Sequence, residues 1–158
     1  STGEVMGWDR SFARAFLKAQ LGAGTVLPTA GTVFLSIKDA DKSPLLVETA
    51  QTLTDLGLKI LATSGTAKFL ADHGISSDVV NKAYEGGRTI VDMMKDGMVD
   101  LVLNTTEGAQ AVEDSRSMRT VALYDKIPYY TTLAGSHAAA LAMKAAREGE
   151  LAVRSLQG

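Results

Sequence analysis

The alternation of short apolar runs with helical stretches predicts an α/β fold: a doubly wound, mostly parallel five-stranded sheet with helices on both faces. Three observations carry that prediction. Five runs of strand-like composition are separated by segments whose apolar residues recur at three-to-four spacing. The strands are apolar almost throughout instead of alternating, as strands covered on both faces are. A length of 158 residues fits one domain with a core of its own.

Residues 1–8, STGEVMGW, are glycine-rich and read as the end of a preceding region, with Trp8 packing on a neighbour. Asp9 then caps a leading helix over 9–23, marked by Phe12, Ala13, Phe16 and Leu17. Gly22 and Gly24 end it, so that 9–30 form a leading helix and linker and 31–158 the domain proper. TVFLSIK (32–38), β-branched and aromatic, is the first strand. Ser43 before Pro44 marks a helix start, because proline at the first helical position gives up no needed N–H. Leu45, Leu46, Ala50, Leu53 and Leu56 carry that helix to a glycine stop at Gly57. LKILAT (58–63) is the second strand, Ala67–His73 with Gly74 the second helix, and SDVVNK (77–82) the third strand. Ile90, Val91, Met94 and Lys95 form a short helix closed by Gly97, and VDLVLNT (99–105) is the fourth strand. A helix over 110–125 runs through Met118, Val121, Ala122 and Tyr124; IPYYTT (127–132) is the fifth strand and the alanine-rich 133–148 the final helix.

Composition narrows the function classes. There is no cysteine, which removes disulfides, thiolate zinc sites and cysteine nucleophiles and suits a reducing cytoplasm. No apolar run approaches the roughly 18–20 residues that span a bilayer, and no secretory signal pattern opens the chain. A formal net charge of −2, with scattered lysines and arginines, does not suit a polymeric nucleic acid. A small phosphate ligand needs only two or three local cations.

In open parallel sheets ligands lie outside the carboxyl ends of the strands. Those ends carry Ser36, Lys38, Asp39 and Lys42 after the first strand, and Thr63-Ser64-Gly65-Thr66 after the second. Asn81-Lys82 follow the third strand, Asn104-Thr105-Thr106 the fourth, and Thr131-Thr132 the fifth. Hydroxyls, amides and lysines recur, with almost no carboxylate. Glycine lets a backbone approach a ligand, and the free amides of a helix start attract an anion. Each piece alone is ordinary capping or a solvated lysine; their coincidence on one sheet edge points to a phosphate site.

Catalytic equipment is thin. His73 and His137 have no serine or carboxylate partner at a telling spacing and read as surface or capping residues. Asp39 and Asp41 read as solvated loop acids, and Asp92, Asp96 and Asp100 lie around a helix and its following turn without convergent metal ligands. The six methionines read as core filler.

The segments ATSGTAKFL (62–70), VVNKAYEGGRTIVDMMKDG (79–97), DLVLNTTEG (100–108), EDSRSMRTVAL (113–123) and IPYYTTLAG (127–135) resemble, in order and spacing, one known family. It is the methylglyoxal-synthase-like domain found at the C-terminus of the bacterial carbamoyl phosphate synthetase large chain. STGEVMG (1–7) resembles the end of that enzyme's second ATP-grasp half. The resemblance implies a non-catalytic allosteric module that binds nucleotide monophosphates, inhibitory UMP and in some members IMP. Its phosphate-binding set would be Lys42, Thr63, Gly65, Thr66 and Lys82, with Ser36, Asn104, Thr105 and Thr106 as further effector contacts. Tyr129, Tyr130 and Thr131 would fall where ornithine is touched in ornithine-responsive members. The domain itself would hold no cofactor or metal, while the parent would use ATP with Mg or Mn, join its own synthetase domains to a glutaminase small subunit, and form homo-oligomers. One departure stands out: Ala109-Gln110 follow Gly108, where related chains often carry a basic pair.

Methylglyoxal synthases use the same fold as lyases on dihydroxyacetone phosphate and need a carboxylate base near the substrate carbon. Their family places one Asp after a paired glycine and another in an Asp-Pro after the fourth strand. Here Gly86-Gly87 lead into Arg88-Thr89, and the second place reads Asn104-Thr105-Thr106, so both acids are missing.

Overall fold

The computed structural model describes residue 28 and residues 30–80, 89–105 and 109–157. Trp8, the leading segment 9–23, the pair Asn81-Lys82, the Gly86-Gly87-Arg88 stretch and Thr106 lie outside the described residues.

Five strands form one sheet: β1 (Thr32–Ser36), β2 (Lys59–Ala62), β3 (Asp78–Val79), β4 (Leu101–Asn104) and β5 (Tyr129–Tyr130). Their order is β3-β2-β1-β4-β5, and every neighbouring pair is parallel. The helices are α1 (Pro44–Asp55), α2 (Ser64–Asp72), α3 (Ile90–Lys95), α4 (Ala109–Tyr124) and α5 (Leu133–Gln157). The chain winds outward from β1 through β2 to β3, then returns to β1's other side for β4 and β5. The winding therefore reverses between β1 and β4, and in open sheets of this kind ligands lie outside the carboxyl ends of the strands at that point.

Consecutive β1 residues point to opposite faces and so belong to two cores. Val33, Leu35 and Leu103 pack with Leu46 and Leu53 of α1, Leu70 of α2 and Ala139, Ala140 and Ala142 of α5. Phe34, Leu61 and Val102 pack on the other face with Ile90 and Met94 of α3 and Met118 and Ala122 of α4. Each fully buried Val, Leu, Ile, Phe or Met side chain contributes about 1.5–3 kcal/mol by leaving water, and each alanine less. The alanines of α5 share this core with Leu46, Ala50 and Leu53 of α1.

The observed elements differ from the sequence expectations mainly at their ends. The β1 ladder stops at Ser36 and β5 spans two residues; β3 shrinks to Asp78–Val79, with Val79 60% exposed at the sheet edge. Helix α2 begins at Ser64 instead of Ala67, so Ser64-Gly65-Thr66 form its first turn and Thr63 its N-cap. Helix α5 runs on to Gln157, and Tyr124 at the end of α4 is 88% exposed, not on its packed face. Met94, Met118 and Met143 fill the cores as expected, whereas Met98 is exposed.

His137 is corrected outright. It is buried in α5, where its Nδ1 lies 3.2 Å from Thr49 Oγ1 of α1. The Thr49 hydroxyl donates to the Leu45 carbonyl at 2.8 Å, so His137 Nδ1 carries the hydrogen and donates to Thr49. His73 is the exposed residue that closes α2: its Nδ1 reaches the Phe69 carbonyl at 2.9 Å. Asp92 is engaged in a reciprocal cap with Thr89 at the start of α3.

Candidate functional site

The site is built from the way β1 leaves the sheet. Past Ser36 the ladder ends, and the next two backbone amides find hydroxyls. Ile37 N–H donates to Thr66 Oγ1 at 3.0 Å, and Lys38 N–H donates to Thr105 Oγ1 at 2.9 Å. Both threonines are buried, one from the first turn of α2 and one from the end of β4. Thr105 N–H also donates to the Ser36 carbonyl at 2.9 Å. The segment that follows β1 is thus tied on both sides before it turns.

That segment makes a single 3₁₀ turn, Asp39–Asp41, and delivers Lys42. In such a turn side chains three apart lie one above the other. Two interleaved pairs result: Lys42 Nζ binds Asp39 Oδ1, and Lys38 Nζ lies 3.9 Å from Asp41 Oδ2. The Lys42 ammonium beside Asp39 holds that carboxyl below the usual carboxylate range, first through the hydrogen bond and then through its charge.

Lys42 also reaches α2. A β-carbon at Gly65 would sit 3.2 Å from Lys42 Nζ, so the ammonium lies close against the helix's first turn, where glycine leaves it room. The Thr63 side chain, which would ordinarily cap this helix, makes no capping bond; it donates to Thr66 Oγ1 at 3.2 Å. An ammonium and an N-terminus without a side-chain cap therefore face the same exposed glycine, the arrangement an anion requires. An open cavity of about 280 Å³ adjoins Lys42 on the α1 side, lined by Ser43, Pro44, Val47, Phe69 and His73.

A second cluster lies at the end of β4. Ser36 and Asn104 are paired across the β1–β4 ladder and both are buried. Asn104 Nδ2 donates to Ser115 Oγ at 2.9 Å and to Tyr129 Oη at 2.7 Å, while Asn104 Oδ1 has no partner among the described residues. Turning the amide round would exchange the roles and still leave one polar end over. Arg119 stands over the Tyr129 ring, 5.8 Å from its centre.

The structure accordingly brings Lys42, Thr63, Gly65 and Thr66 together, with Thr105 bracing their loop, and places Ser36 and Asn104 as a buried pair at the ends of β1 and β4. The hydroxyls of Thr66 and Thr105 already serve backbone amides, so what Thr66 can offer an anion is its own N–H. Tyr129 and Tyr130 point to opposite faces of the sheet, one toward Asn104 and α4, the other into the α1–α5 core, with Thr131 exposed beyond them. Lys82 and Thr106 lie outside the described residues. Sequence reasoning missed Asp39 as the partner of Lys42, although their three-residue spacing was a usable signal. Ser115 and Arg119, one helical turn apart on α4, were also missed, and nothing in their spacing pointed to Asn104 or Tyr129. Among the described residues no three His, Cys, Asp or Glu side chains converge on a metal site, and no helix is long and apolar enough to cross a membrane.

Comparison with known proteins agrees with this architecture. The chain is 50% identical over 157 residues to the carbamoyl phosphate synthase large chain of Rhizobium meliloti (strain 1021), covering 99% of this chain and 13% of that protein. It is 45% identical over 157 residues to the large chain of Methanosarcina acetivorans, covering 99% of this chain and 15% of that one. The chain thus spans about an eighth of the length of such relatives. The crystal structure of ForH superposes with a TM-score of 0.51 at 17% identity, over 80% of this chain and 95% of that one, a likeness of fold. The profile of the MGS-like domain matches residues 45–131, and the chain belongs to that family.

Proposed function

We propose that this chain is the regulatory domain of a glutamine-dependent carbamoyl phosphate synthetase large chain and binds nucleotide monophosphates at the carboxyl ends of β1, β2 and β4. The observation that carries the reading is the Lys42 ammonium against Gly65 at an α2 N-terminus without a side-chain cap. The effector phosphate lies there, received by Lys42 and the amides of Gly65 and Thr66, with Thr63 and Lys82 completing the set. Ser36, Asn104, Thr105 and Thr106 are the further effector contacts of this reading, and the left-over end of the Asn104 amide is a polar group for a ligand to satisfy.

UMP is the inhibitor in this reading and IMP a possible activator, with ornithine felt through the Tyr129–Thr131 edge. The parent makes carbamoyl phosphate from bicarbonate, glutamine-derived ammonia and ATP with Mg or Mn, in the cytoplasm, for arginine and pyrimidine biosynthesis. It does so as a homo-oligomer with a glutaminase small subunit. Inhibition by UMP is then end-product feedback. It requires UMP to bind two conformations of the parent unequally, so the domain carries no chemistry and transmits a difference in affinity. Calorimetric titration of UMP into this chain tests the site. Saturable binding, lost in Lys42→Ala and in Lys82→Ala, is expected; binding that survives both substitutions sinks the assignment.

A further inference from the structure

The lysine at the cradle already holds an anion, and that anion belongs to its own loop. Lys42 is well enclosed, its side chain 18% exposed, whereas the Asp39 side chain bound to it is 93% exposed. The carboxylate therefore reaches in from water toward an ammonium fixed by the protein. We propose that Asp39 is a built-in counter-ion of the site. With no ligand bound it neutralises Lys42, and an incoming phosphate must displace it.

The geometry makes the exchange one-sided. Thr66 and Thr105 pin the residues before the turn, and the Lys42 side chain is enclosed close to Gly65, so Lys42 stays. Asp39 has only to rotate into solvent, where it is already hydrated. A phosphate oxygen and a carboxylate oxygen compete for the same donor, and while both are near they repel each other. Exposed pairs of this kind have modest strength, so the carboxylate lowers phosphate affinity without abolishing it, by about three- to tenfold at low salt. Asp41, which pairs with Lys38, contributes the same charge from the same turn without occupying Lys42.

This inference rests on the anion-binding reading above, and one experiment separates the two. Inorganic phosphate is titrated at low ionic strength into this chain and its Asp39→Asn, Asp41→Asn and Lys42→Gln variants, with the Gly65 amide resonance as the readout. Phosphate should bind Asp39→Asn about three- to tenfold more tightly than the parent sequence, Asp41→Asn within about twofold of it, and Lys42→Gln far more weakly. A merely structural role for Asp39 cannot produce tighter binding. Unchanged or weaker binding in Asp39→Asn, with Lys42→Gln still impaired, overturns the counter-ion and leaves the anion site standing. Equal tightening in Asp41→Asn also overturns it, since net charge alone then accounts for the effect. No titration in any of the four proteins removes the anion site and this inference with it.

Discussion

Lys42 Nζ lies 3.2 Å from the point a β-carbon on Gly65 would occupy, so the ammonium and the first turn of α2 are packed as closely as a glycine allows. The atom in the way is the far end of a flexible side chain, and Gly65 sits inside a helix. Gly65→Ala should therefore leave stability unchanged or raise it by up to about 0.5 kcal/mol, while making the Lys42 ammonium give way slightly. UMP affinity should fall by up to about threefold, since one of several charge-assisted contacts is weakened. Thermal melting together with calorimetry checks both halves; unchanged affinity would show that Lys42 does not need this position.

Gly31 presents the opposite case. Its φ of 117° is closed to ordinary side chains, and a β-carbon would fall 2.1 Å from Asp100 Oδ2. That carboxylate oxygen accepts from Thr32 N–H at 2.9 Å and joins the start of β1 to the start of β4. Gly31→Ala should cost about 2–3 kcal/mol, from backbone strain and the displaced carboxylate together. Urea unfolding should show a lower midpoint with an unchanged slope. A loss below about 0.5 kcal/mol would mean that the turn rearranges freely.

The contrast shows what was legible in the sequence. The elements were, because Val33, Phe34 and Leu35 make an apolar run that only a doubly covered strand needs, and because Pro44 and Gly57 punctuate α1. The cradle was half legible. Lys42, Gly65 and Thr66 stood out by residue type, but the sequence did not reveal that Thr66 turns its hydroxyl to Ile37, since that bond depends on where β1 passes α2. Strand order was not legible, because pairing of parallel strands leaves no local mark. His137 failed for a different reason: Ser136 to Ala140 are buried in succession around α5, so position on one face of the helix did not mark it.

That buried histidine supports a measurable coupling. Thr49 accepts from His137 Nδ1 and donates to Leu45, and both side chains are buried. Thr49→Val keeps the shape and leaves the imidazole N–H facing a methyl group, at a cost of about 1–2 kcal/mol. In a cycle with His137→Leu the second substitution should cost less once the first is present, by about 1 kcal/mol. Strictly additive losses would show that the 3.2 Å contact contributes nothing.

Tyr130 supplies the pH dependence. Burial pushes its phenol from 10.0 up to about 12, because the phenolate would have to form against the α1–α5 core. Between those two values the unfolded chain has released a proton that the folded chain still holds. Stability is therefore fully present below pH 10 and declines as pH rises toward about 12. The ring is only half-buried, so solvent screening reduces the full linkage to about 1 kcal/mol. Tyr130→Phe removes the titrating group, and its unfolding free energy should fall less steeply than that of the parent sequence over this window. Parallel curves for the two proteins would place the alkaline loss elsewhere, in groups other than the Tyr130 phenol.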